Sequence, residues 1–413
     1  MRPRYLIAAA AVLLALNVAV AIAQRPDAFG GSREHQAIQY NTAPNDTAFT
    51  ALNAKIESGS VTFTFDPVSG YLRSALDALN LPIESQVLVY TGTSLQSPKI
   101  RMDNPRAIFF SDTVAIAFIR GAPLLEAWAQ DPRQGAVFYT MDQQPGGGAP
   151  HFKRELNCLS CHLSWDTLAV PGPFLLTTFP RKTERDYANG FMVDHRVSLA
   201  ERWGGWYVTG KQAPAHHMGN LPLFVPDPEA LRTLRPQAPK TSLSSIAALF
   251  DRTGYPTPYS DIVALMVLEH QSHVLNLITR VGWEARVGNT ARVPEAASDL
   301  VDYMLFVDEA PIEGRIEGSS GFAETFSAQG PRDSRGRSLR ELQLSGRLMK
   351  YPLSYMIYAP PFDALPAVAK DAVLARLERV LAGEDHSPKY AHLTPPLRQA
   401  IVEILKDTKG GAF

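Results

Sequence analysis

Only two cysteines occur in 413 residues, Cys158 and Cys161. That scarcity excludes a disulfide-stapled scaffold, which carries several pairs. It also excludes an all-thiolate structural zinc site, which needs four sulfur ligands. Charge of one sign is missing too: 40 Lys and Arg stand against 41 Asp and Glu, with no long run of either. No nucleic-acid partner and no anionic membrane surface is therefore implied. The chain has no internal repeat and no low-complexity tract, so solenoids and disordered arrays are excluded.

What is present is ordinary globular material. Hydrophobic residues make up 45% and charged residues 20%, and the length suits two or three domains. Prolines (32) outnumber glycines (28) and are interleaved with apolar runs, which implies many turns and long connections. The first 23 residues read as an export signal. Arg2 and Arg4 precede an almost wholly apolar stretch from Tyr5 to Ala23, and Ala21-Ile22-Ala23 is a small-x-small cleavage site. Cleavage is the expectation, and retention as a membrane anchor is the alternative. No other segment reads as a span, so a periplasmic or otherwise exported protein is expected.

The remaining chain reads as α+β, with an N-terminal β-rich domain followed by a mainly helical domain with long loops. Residues 24–58 read as an N-terminal arm. Residues 59–142 hold the β-branched and aromatic runs Val61–Phe65, Gln86–Tyr90, Ala107–Phe110, Val114–Ile119 and Ala136–Tyr139. Ser111–Thr113 reads as a hairpin turn, and Tyr71–Leu79 as a helix. Gln143–Pro150, with three consecutive glycines, reads as a linker into a helical domain over 151–413. There Ser260–Val281 and Ala367–Ala382 are expected helices. A further helix is expected from Pro395 to about Lys406, capped by Thr394.

Both cysteines fall in Leu156–Trp165, LNCLSCHLSW, with His162 directly after the second. A Cys-x-x-Cys pair serves as a redox dithiol, as half a zinc site or as an anchor for covalent haem. Zinc lacks its remaining ligands. A thioredoxin-like dithiol expects a preceding strand, whereas His151–Asn157 is polar and follows the glycines. The adjacent histidine separates the third reading from the others. Two thiols at this spacing meet the two vinyl groups of the macrocycle, and the next residue supplies the proximal iron ligand. The expectation is one covalent haem c, held by Cys158 and Cys161 with His162 on the iron.

The distal position has three candidate sources. His217 and Met218 lie in the loop HHMGN, about sixty residues on. His270 and His273 lie one helical turn apart in LEHQSHVLN, and His195 lies in MVDHRVS. The His270/His273 pair with Glu269 is alternatively a separate metal site. Trp203 and Trp206 flank paired glycines that suit close approach to a flat partner or a core turn. Arg332 and Arg335 suit propionates or a solvated loop.

The segments NPRAIFFSD, GAVFYTMDQ, CLSCH, DHRVSLAERWGGWYVTG, HHMGN, LEHQSHVLNLITR, GPRDSRGRSL and YPLSYMIYAPPFDALP together resemble a family of large, exported bacterial monohaem cytochrome-c-domain proteins. The resemblance runs from about Gly59 to Lys406. It implies haem and export, and carries over only Cys158, Cys161 and His162 as haem-binding residues. The chain departs from small class I cytochromes in its length and its β-rich part. The expected function is electron transfer by Fe(II)/Fe(III) cycling with an unidentified redox partner protein. Its rivals are a haem-dependent oxidoreductase or peroxidase-like enzyme, and a haem-based sensor or binding module.

Overall fold

Alternation of β-branched and aromatic residues builds the centre of the molecule. Residues 30–146, 150–183, 190–214, 216–228 and 243–410 are described by a computed structural model. The expected signal at 1–23, residues 24–29 of the expected arm and residues 147–149 of the expected linker lie outside the described residues. Besides a C-terminal pair at Leu342–Ser345 and Arg347–Met349, the strands are β1 (Val87–Val89), β2 (Arg106–Phe110), β3 (Val114–Phe118), β4 (Leu124–Asp131), β5 (Gly135–Asp142), β6 (Lys153–Arg154), β7 (Leu175–Thr178), β8 (Gly190–Val193) and β9 (Trp206–Tyr207). Seven form one antiparallel sheet in the order β6-β5-β4-β3-β2-β1-β9, and β7 pairs with β8. Ser111 N–H bonds to Val114 O at the expected hairpin between β2 and β3.

The period of two sorts side chains between two cores. Leu88, Ala107, Phe109 and Ile116 pack with Phe49, Leu52 and Ile56 of a helix at Ala48–Glu57 and with Leu72, Ala75 and Leu76 of a helix at Leu72–Ala78. Val87, Val89, Phe110 and Ala115 face the opposite core, built on the helix Ile262–Arg286 and the C-terminal helices Val293–Met304, Ala367–Ala382 and Pro395–Lys409. The architecture is α+β, strand-rich toward the N-terminus and helical toward the C-terminus.

The central helix begins where Asp261 accepts hydrogen bonds from Val263 N and Ala264 N. It is buried on every side, although Glu269–His273 places polar residues around a full turn. Among the described residues it alone is long and apolar enough to cross a membrane, and it lies inside the fold. Four local expectations differ. Val61–Phe65 is extended but pairs with no strand, since its apolar side chains pack on the core as an irregular segment. Leu124–Asp131 is a full strand whose alanines and Glu126 dilute the β signal. Ala48–Glu57 is helical where the sequence reads as polar and irregular. Thr394 precedes the last helix, but its side chain accepts no capping hydrogen bond.

Candidate functional site

Cys158 opens a single helical turn, Leu159–His162, closed by hydrogen bonds from Cys161 N and His162 N to Cys158 O at 3.2 and 2.9 Å. Spacings of three and four residues bring both thiols and the imidazole to one side of that turn. The chain then doubles back. Ala169 N–H reaches Ser164 O at 2.9 Å, with Leu168 and Ala169 both in the left-handed region at φ 61°. Two consecutive non-glycine residues there are costly, and a hydrogen-bonded loop holds them.

That loop returns Pro171-Gly172-Pro173-Phe174 to His162. Gly172 N–H donates to His162 O at 3.0 Å, and His162 Nδ1 lies 2.9 Å from Gly172 O. A carbonyl only accepts, so the proton sits on Nδ1 and Nε2 carries the lone pair. The ring lies between Phe138 and Phe174, with centroids 4.6 and 5.0 Å away. Burial pushes its pKa down to about 4 against the opposing pull of the Gly172 bond. At neutral pH the group is a neutral imidazole with an unpartnered Nε2, the state a metal ligand requires.

The loop is anchored in turn by the central helix. Asn276 Nδ2 donates to Pro173 O at 2.9 Å, and a Cβ on Gly172 would collide with Asn276 Oδ1. Register places Glu126 opposite Thr140 and Trp128 opposite Phe138, so these four share the sheet face on which His162 rests.

Both thiols are free. Cys158 is half-buried and Cys161 exposed. Burial, reinforced by the carboxylates of Glu126 and Glu155, pushes the Cys158 thiol up to about 12. A thiolate nucleophile at Cys158 would need the opposite shift. Leu156 (41% exposed) and Trp165 (77%) leave an apolar surface beside the thiols.

The distal candidates divide into two groups. His217 and Met218 are buried, with the His217 ring edge-on to Trp203 at 5.6 Å. His195, His270 and His273 meet in a second cluster. His195 Nδ1 and His270 Nδ1 are 2.9 Å apart, and His270 Nε2 is 2.7 Å from Ser354 Oγ, so both His270 nitrogens are engaged. His273 Nε2 accepts from Arg196 at 3.3 Å, and Arg196 pairs with Asp194. Tyr303 and Phe306 stack on the His195 ring at 4.0 and 4.9 Å. Burial lowers the pKa of His270 to about 3, of His273 and His217 to about 4, and of His195 well below its ordinary value. Glu269 forms a fully buried ion pair with Arg202 at 3.1 Å. Among the described residues no group of three or more His, Cys, Asp or Glu could hold a metal ion by itself.

Trp203 and Trp206 are core residues. A Cβ on Gly204 would strike Thr178 O, so the close approach there is to the protein's own strand β7. Arg332 donates to Gly336 O and Ser327 O, and Arg335 pairs with Glu403. Sequence reasoning missed Gly172 and Asn276. The run Pro171-Gly172-Pro173, ten residues past His162, was the available signal.

No family model, curated protein or solved structure matches the chain.

Proposed function

We propose that the protein is an exported c-type cytochrome, with one haem bonded through Cys158 and Cys161 and ligated by His162, that passes electrons to a redox partner protein. The observation that carries this reading is the His162–Gly172 hydrogen bond beside two free thiols. It fixes the tautomer and leaves Nε2 as a lone pair on the same turn as both sulfurs. When bound, the haem supplies one-electron chemistry at its iron. The protein's part is to fix the imidazole, to raise its basicity through the Gly172 carbonyl and to pack it against Phe138 and Phe174. The exposed Trp165 and Leu156 supply apolar surface for a macrocycle anchored at those thiols.

The test is haem staining of denatured protein after export in a host with c-type maturation. Wild-type chain is expected to retain the stain, and Cys158→Ser and Cys161→Ser to weaken or lose it. Two titratable thiols and no stain in exported wild-type protein would refute the proposal. One observation favours a second reading, a haem-dependent oxidoreductase: both ring nitrogens of His270, one of the distal candidates, are engaged elsewhere, by His195 and Ser354. An open sixth position serves substrate chemistry rather than simple transfer. Ready cyanide binding by the ferric protein would select that reading.

A further inference from the structure

Arg106 and Glu126 form an ion pair at 3.3 Å that reaches over a strand. Arg106 lies on β2 and Glu126 on β4, with β3 between them. Register sets Ala117 of β3 opposite both Ile108 and Glu126, so only a methyl group stands in the way. Alternation puts Arg106, Ile108, Ala117, Glu126 and Trp128 on one sheet face. Trp128 pairs with Phe138, and His162 packs on Phe138, so the ion pair and the imidazole share that face.

Both charges are held in place. Glu126 accepts from Ser94 Oγ at 2.6 Å and from Gln96 Nε2 at 3.2 Å as well as from Arg106. Gln96 is fixed in turn, since its Oε1 accepts from Leu124 N and its Nε2 also donates to Leu124 O. Arg106 Nη1 donates to Thr93 O at 3.2 Å, while its Nε is buried with no partner. The two side chains are only 16% and 14% exposed, so water and salt screen them weakly. Their influence reaches the thiol and the imidazole. At Cys158, Glu126 is the largest influence on the pKa after burial. At His162 burial and the Gly172 bond come first, then Arg106, which lowers the pKa, and Glu126, which raises it.

We propose that Arg106 and Glu126 are fixed charges that set the reduction potential of the iron held by His162. The inference rests on the haem reading above. Oxidation at the iron adds one positive charge, so a fixed cation nearby favours the ferrous state and a fixed anion the ferric state. Arg106 therefore raises the potential and Glu126 lowers it. Paired, they offset one another, and removal of either exposes the other.

Redox titration of the full chain carrying haem tests this with Arg106→Gln, Glu126→Gln, the double variant and Arg106→Lys. Arg106→Gln is expected to shift the ferric–ferrous equilibrium about tenfold toward ferric, a potential about 59 mV lower for a one-electron couple. Glu126→Gln is expected to shift it by a similar factor the other way. The double variant and Arg106→Lys should return close to the wild-type value. A merely structural contact, on loss, would loosen residues 93–96 and move both single variants in the same direction or neither. Where Arg106→Gln does not fold, a Glu126→Gln potential at or below the wild-type value overturns the proposal by itself. Haem staining of each variant separates this inference from the reading beneath it. Stained protein whose single variants do not move in opposite directions overturns the inference and leaves the haem reading standing. Unstained wild-type protein removes both.

Discussion

Asn276→Leu removes one donor while nearly preserving volume, and its effect can be followed residue by residue. Asn276 Nδ2 is the partner of Pro173 O, which is buried. Leaving that carbonyl unpaired costs about 1–3 kcal/mol. The loss is partly offset, because Asn276 Oδ1 is itself buried without a partner and disappears with the amide. A net destabilisation of about 1–2 kcal/mol is expected in a denaturant melt. The more specific effect lies one link further on. With Pro173 released, the Gly172 carbonyl no longer holds His162 Nδ1 at 2.9 Å. A net hydrogen bond of about 1 kcal/mol biases the tautomers roughly fivefold, so the Nδ1–H form should lose that margin. Imidazole nitrogen-15 spectra of the haem-free chain at pH 7 report the tautomer directly. In haem-loaded protein the weaker Nδ1–H donation should make the ligand less basic and raise the reduction potential. A variant with the wild-type tautomer and an unshifted melt would refute this chain of support.

Three further outcomes follow from the same geometry. Gly172→Ala places a methyl group against Asn276 Oδ1 and should destabilise by about 1–3 kcal/mol, read by thermal melt, with rescue by Asn276→Ala in the double variant. His270→Ala and His273→Ala should lower stability by about 1–3 kcal/mol, because each leaves buried partners unpaired, and leave the ferric haem spectrum unchanged; conversion to high spin in either would show it to be the distal ligand. Stability of the haem-free chain should fall as pH drops from about 6.5 toward 4. His195, His217, His270 and His273 stay neutral when folded and protonate on unfolding, so the unfolded state binds more protons in that window. In the haem-free chain His162, lowered to about 4, joins those four. Glu269 and Glu309, raised to about 7 by burial, oppose the five by holding protons in the folded state, which leaves a net uptake of about three protons to be read from melts across the range.

The sheet was largely legible because β-branched alternation is a local signal. Gln86–Tyr90, Ala107–Phe110 and Val114–Ile119 lie within a residue or two of β1, β2 and β3. Ala367–Ala382 coincides with its helix, closed by Gly383 in the left-handed conformation. What was not legible depends on partners distant in sequence. Val61–Phe65 has strand composition but no edge to pair with. Leu124–Asp131 has weak composition but two flanking strands that make it one. At the site, the grouping of Cys158, Cys161 and His162 was readable from spacing alone. The carbonyl that sets the His162 tautomer belongs to Gly172, a backbone group with no side chain to advertise it, and Asn276 reads as one more polar residue on a helix. The joining of His195 to His270 across 75 residues could not be read from either segment by itself.

Under the proposed export, the central helix would have a consequence for translocation. A protein exported unfolded presents Ile262–Arg286 to the translocation channel as 25 residues with a window of mean hydropathy 1.2, at the margin of what stops in a bilayer. Leucine or valine at the middle of a span returns about 0.5 kcal/mol, whereas a charged residue there costs about 3. Glu269, His270, Gln271, Ser272, His273 and Asn276 occupy that middle. In the folded core Glu269, His270, Gln271 and Asn276 are met by Arg202, Ser354, Tyr355 and Pro173. In such a transit they would make lateral escape into lipid unfavourable, so the polar groups that complicate the finished interior would also favour passage of the segment through the channel.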